Sequence, residues 1–153
     1  MFLLMQTRAE TDATQMTSIG SFRMILMFDS DLARAEATNA ADIILAEVDD
    51  QVQVEKSLFD TASLDFAESL ERAIVEARAA DVIIVALSSE RHALRLQTWT
   101  EQWLKQRDME EGLLAFIPCG DLDSGSDLAE YLRETAVSAN MDFISRRAKN
   151  RAV

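Results

Sequence analysis

Three short segments of this chain are apolar from end to end: 24–28, 82–87 and 113–117. A strand of that composition must be buried on both faces, which happens inside parallel sheets whose two sides carry helices. Two further segments are mixed. In 51–59, Val52 and Val54 alternate with Gln and Glu, and 141–145 reads "MDFIS". Mixed runs suit the borders of a sheet, where one face or one edge meets water. The pattern predicts three central strands flanked by two edge strands.

The stretches between these runs are amphipathic. Ser30 or Asp31 is placed to cap a helix whose inner face is Ala33, Ala37, Ala40, Ala41, Ile44 and Val48. A second helix is expected over 63–79, with Phe66, Leu70, Ala73, Ile74 and Ala77 inward and Glu68 four residues before Arg72 as a surface ion pair. Ser88 or Ser89 is read as the cap of a third, carrying Leu96, Trp99, Trp103 and Leu104. A fourth, capped by Ser124 or Ser126, aligns Leu128, Leu132, Thr135, Ala136 and Ala139. Strands alternating with helices, joined by right-handed crossovers, give the strand order 2-1-3-4-5. That order resembles the flavodoxin-like arrangement, which response-regulator receiver domains share. The expectation is a three-layer α/β sandwich with a five-stranded parallel sheet over residues 21–147. A loose N-terminal arm, 1–20, precedes it and a basic tail, 148–153, follows.

Composition narrows the function classes. The 153 residues are 48% hydrophobic and carry a formal net charge of −12, enough apolar matter for a core and a surface that repels anions. General binding to nucleic acid or anionic lipid is therefore disfavoured. No apolar run approaches the roughly 20 residues that span a bilayer. The start, "MFLLMQTRAE", lacks the basic region and the roughly 7–15 apolar residues of a secretory signal, so none is read. Cys119 is the only cysteine, which excludes an internal disulfide and suits a reducing cytoplasm.

In such a sheet, ligands sit beyond the carboxyl ends of the strands, near the point where the strand order reverses. The loops expected there carry Asp29, Ser30, Asp31, Ser88, Ser89, Glu90 and the segment Pro118–Asp123, with Asp60 after the second strand. The rim is acidic. "MILMFDSD" resembles the first motif of haloacid dehalogenase-type phosphatases, an apolar strand followed by D-x-D. That resemblance implies Asp29 as nucleophile and Asp31 as acid/base. It also implies Ser88 as a phosphate-binding hydroxyl and Asp121 as a metal ligand, with magnesium held by Asp29, Asp31 and Asp121. Ala33 stands where that family has Thr or Val, and its lysine can only be Lys105, in a helical stretch.

Other site chemistries match less of the sequence. "GDLDSGS" spaces Gly120 and Gly125 as in a phosphate-binding loop but lacks the lysine, and sets Asp121 and Asp123 where phosphate oxygens would lie. Asp121, Asp123 and Asp127 start a calcium-loop spacing, yet the twelfth position is Leu132 rather than Glu. Receiver domains end their third strand with a phospho-acceptor Asp; here "ALSS", Ala86–Ser89, occupies that place. Cys119 past a strand end and His92, the lone histidine, would make a nucleophile pair only if they touch. Trp99 and Trp103, four apart, form either a core stripe or a partner-binding surface.

"ADVIIVALSSE", "LQTWTEQWLKQ", "GLLAFIPCG" and "MDFIS" together resemble a group of small, uncharacterised bacterial α/β proteins, which implies the fold and no activity. The leading expectation is a non-catalytic binding or signalling-type module on a receiver-like scaffold. It requires no cofactor and engages a protein partner or a second copy of itself. The alternatives are a magnesium-dependent phosphohydrolase using Asp29 and Asp31, and a binder of a nucleotide or flavin at the strand-end crevice.

Overall fold

The structure, a computed structural model, describes residues 21–108, 111–123 and 125–147. The arm, the last six residues and Ser124 therefore lie outside the described residues. In chain order the elements are β1 (Ser21–Phe28), α1 (Asp31–Leu45), β2 (Gln53–Asp60), a 3-10 turn (Thr61–Asp65), α2 (Ala67–Arg78), β3 (Val82–Leu87), α3 (Ala93–Gln106), β4 (Leu113–Pro118), α4 (Asp127–Ser138) and β5 (Asp142–Ser145). All pairings are parallel and the sheet runs β2-β1-β3-β4-β5. This is the 2-1-3-4-5 order expected from the apolar runs. β3 is buried along its whole length and β2 is mostly exposed, as a central and an edge strand should be.

The helices divide unequally. Ile25, Met27, Ile83, Val85, Leu114 and Phe116 face one side, where α2, α3 and α4 cover them. Met24, Leu26, Phe28, Ile84, Ala86 and Ile117 face the other, where α1 alone among the described helices packs, through Ala33, Ala37 and Ala41. Those alanines let the helix backbone lie close to the sheet. Strands are spaced about 4.8 Å apart and helices about 8–10 Å. Three helices thus cover more of the sheet's width than one helix does. α1 lies against β1, β3 and β4. The register carries one row across this face: Leu58, Leu26, Ile84, Ala115 and Ile144. Its centre is buried, but Ile144 at the β5 end is 48% exposed, and Val54 of β2 is 40% exposed.

Several local expectations change. Phe66 does not join the inner stripe of α2; it is extended backbone ahead of the helix and 67% exposed. The predicted helix over 63–79 is broken there, and Leu64 of the 3-10 turn is buried instead. Neither Ser88 nor Ser89 caps α3, which begins at Ala93 behind His92 with no side-chain cap. Glu68 and Arg72 form no ion pair; the Arg72 guanidinium lies 5.4 Å from the centre of the Phe59 ring. Ser30 and Ser126 cap α1 and α4 as expected, accepting from the N–H groups of Ala33 and Ala129.

Candidate functional site

The strand ends do gather the expected loops, and their polar groups are spent on one another. Asp29 follows β1. Both its carboxylate oxygens accept from the Ser88 N–H, at 2.8 and 3.0 Å, and Oδ2 also accepts from the Ser89 N–H at 3.1 Å. Ser30 Oγ and Ser88 Oγ are 2.7 Å apart. The β1–α1 and β3–α3 loops, which flank the switch point, are thereby stitched together. A nucleophile needs a free oxygen lone pair facing a substrate, whereas Asp29 is turned onto the backbone of the neighbouring loop.

Asp31 opens α1, where a carboxylate suits the positive end of the helix dipole. Asp60 accepts from the Ala62 N–H at 2.8 Å and caps the 3-10 turn. Among the described residues no group of three or more His, Cys, Asp or Glu side chains is placed to hold a metal ion. Asp29, Asp31 and Asp121 therefore do not form the shared cation site expected of them. Lys105 lies in the exposed last turn of α3.

Cys119 and His92 do not meet. Cys119 is buried on the α1 side, and its thiol donates to the Ile117 carbonyl at 3.5 Å. Burial, with Glu36 and Asp29 adding negative charge nearby, pushes this thiol up to about 11, so it is a poor nucleophile at neutral pH. His92 Nδ1 is 2.6 Å from Thr61 Oγ1, across the other face. Trp99 and Trp103 are both 0% exposed, with rings packed edge-on at 6.0 Å. They are core, not a partner stripe, because α3 turns that side onto the sheet.

The basic residues after β5 have structural work that sequence reading missed. Arg147 donates to the carbonyl of Leu122 at 2.6 Å and to that of Gly120. Gly120 sits at φ 59, a backbone angle that favours glycine, and turns the opening loop "PCG" back toward this arginine. The segment that looked like a phosphate or metal cradle is a turn fastened by Arg147.

A more enclosed hollow lies elsewhere. A cavity of about 270 Å³ runs along the free flank of α1, lined by Glu36, Ala40 and Ile43, by Ile117 of β4, and by Arg146 and Arg147. Ile43 is 54% exposed. The sequence held one signal for it: Ile43 falls off the Ala33–Ala37–Ala41 line and still is apolar.

No family model matches the chain, and no curated protein does. Among solved structures, it is similar to a flavodoxin of Streptococcus pneumonia TIGR4, with a TM-score of 0.51 over 83% of this chain and 82% of that one. The fold is flavodoxin-like. At 15% identity the likeness extends to the fold alone. No helix among the described residues is long and apolar enough to cross a membrane.

Proposed function

We propose that this flavodoxin-like protein is a non-catalytic binding module, receiver-like in scaffold and cytoplasmic, whose contact surface is the half-covered sheet face beside α1. The observation that carries this reading is the contrast between the two ends of the site geometry. The strand-end rim is closed by its own hydrogen bonds, with Asp29 holding the Ser88 and Ser89 N–H groups. The α1 flank instead presents exposed Ile43 beside Glu36 and Arg146, and Ile144 is exposed on the same face of the sheet. A small ligand at the rim would have to break the Asp29 clamp to enter. A protein segment with an apolar ridge needs no such rearrangement at the flank. Exposed apolar side chains rimmed by charge are the usual form of an interaction surface.

The test places a photo-crosslinking residue at Ile43 in the full chain, and separately at Leu94, an exposed apolar position on α3. A protein adduct at position 43, absent at 94 and competed away by untagged chain but not by its Ile43→Asp variant, supports the reading. Adducts at both positions alike, or turnover of an aryl phosphate with magnesium that Asp29→Asn abolishes, would replace it.

A further inference from the structure

We propose that the chain pairs with a second copy of itself through β5. The two strands run antiparallel across a two-fold axis normal to the sheet at Ile144, so that the two sheets become one. The inference concerns the border of the sheet rather than the hollow at Ile43, and it holds or fails apart from the partner reading.

Three observations select a second copy. The first is free backbone. The Asp142 N–H donates to the Gly112 carbonyl at 2.9 Å and the Arg146 N–H to that of Phe116 at 3.0 Å, both toward β4. Alternation turns the N–H and C=O of Phe143 and Ser145 the other way, to an edge that no described strand covers. Phe143 of each copy can there exchange two bonds with Ser145 of the other. The second is register. Ile144 pairs with Ala115, which faces the α1 side, and Asp142 and Arg146 share that face with it. With Ile144 opposite itself, each Asp142 lies opposite the other copy's Arg146. The neighbouring registers would set Ile144 against Asp142 or Arg146 instead, so the strand complements itself in one alignment. The third is apolar surface on the other side of the sheet. Tyr131 of α4 donates to the Gln97 carbonyl of α3 at 3.4 Å, whereas the Arg133 guanidinium lies 4.9 Å from the centre of the Phe143 ring. The Arg133 flank of α4 therefore faces the β5 border, and Val137, one turn on, is 72% exposed. α4 lies against β4 and β5, so its two copies would sit about two strand spacings apart, roughly 10 Å, which is helix-packing distance. The contact would cover Ile144 on one face and Val137 on the other. The opposite border, β2, carries Glu55 and Lys56 at mid-strand, charges that keep edges apart. Each copy carries a net charge of −12, but physiological salt screens that repulsion beyond about 8 Å, while the Asp142–Arg146 pairs meet at contact.

The experiment is analytical ultracentrifugation of the full chain from about 10 µM to 1 mM, the range that a small, weak contact calls for. The native chain should pass from monomer to dimer. Asp142→Arg and Arg146→Asp, each alone, set like charges opposite each other at both pairs and should weaken self-association about tenfold. An equimolar mixture of the two variants restores opposite charges at both pairs and should associate as the native chain does, which a misfolded variant could not. In a second measurement, Ile144→Cys should cross-link to itself under mild oxidation, since such a central pair holds its Cα atoms about 4.5 Å apart, within disulfide reach. It should do so at least tenfold faster than Val54→Cys, exposed on the same face at the β2 border. The native Cys119 is buried and does not compete. A chain that stays monomeric throughout, a mixture that associates no better than its single variants, or equal cross-linking at 144 and 54 would overturn the proposal. Capture of a partner at Ile43 would survive that failure, and its own failure would leave the dimer standing.

Discussion

Removing the Asp29 carboxylate should destabilise the protein, and the size of the loss follows from what it holds. Three contacts, at 2.8, 3.0 and 3.1 Å, join it to two backbone N–H groups 59 and 60 residues away. A hydrogen bond to a charged acceptor contributes about 1.5–3 kcal/mol when water is excluded. Here Asp29 and Ser88 are half-buried and Ser89 is exposed, so water can replace part of the loss. Asp29→Ala should then cost about 2 kcal/mol. Asp29→Asn keeps one carbonyl oxygen for one donor and should cost about half as much. With a urea m-value of about 2 kcal/mol/M, the midpoints should fall by about 1 M and 0.5 M. Equilibrium unfolding followed by the fluorescence of the two buried tryptophans measures both. A residue kept for catalysis commonly weakens its fold, and its removal then raises stability. An Asp29→Ala midpoint equal to or above the parent's would refute the clamp and return Asp29 to the list of catalytic acids.

The buried thiol gives an alkaline prediction. Unfolded, Cys119 loses its proton from about pH 9; folded, it keeps it to about 11. The unfolded state therefore binds fewer protons between those values, and stability present below pH 9 should decline by roughly 2 kcal/mol by pH 11. Cys119→Ala should flatten that part of a pH-resolved unfolding series; an unchanged slope would remove the cause assigned to it. In the core, Trp103→Ala should cost about 3–5 kcal/mol. Trp103→Phe should cost clearly less, since the Trp103 indole N–H is buried with no hydrogen-bond partner and its loss offsets part of the lost packing. Equal midpoints for the two variants in the same urea assay would count against this account.

The apolar runs at 24–28, 82–87 and 113–117 were enough to place three strands inside the sheet, because burial on both faces demands apolar residues at every position whatever the rest of the chain does. The mixed runs placed the edges for the same reason. The helical stripes were legible as well, apart from Val48, which falls past the end of α1 at Leu45, and Phe66, where a 3-10 turn ends and a new helix begins at a position that a single continuous period hides. What Asp29, Ser30, Ser88 and Arg147 do was not legible. Their residue types suit catalysis, metal binding and loop fastening alike, and the partner that decides among these lies 25 to 60 residues away. Nor does any local pattern say that three described helices share one side of the sheet and one takes the other. Periodicity is a property of neighbours along the chain, so the sequence by itself determined the strands, their order and their burial. Only the packed structure decided which polar groups satisfy each other and which apolar flank is left open, because hydrogen bonds and coverage are settled between segments that meet after folding.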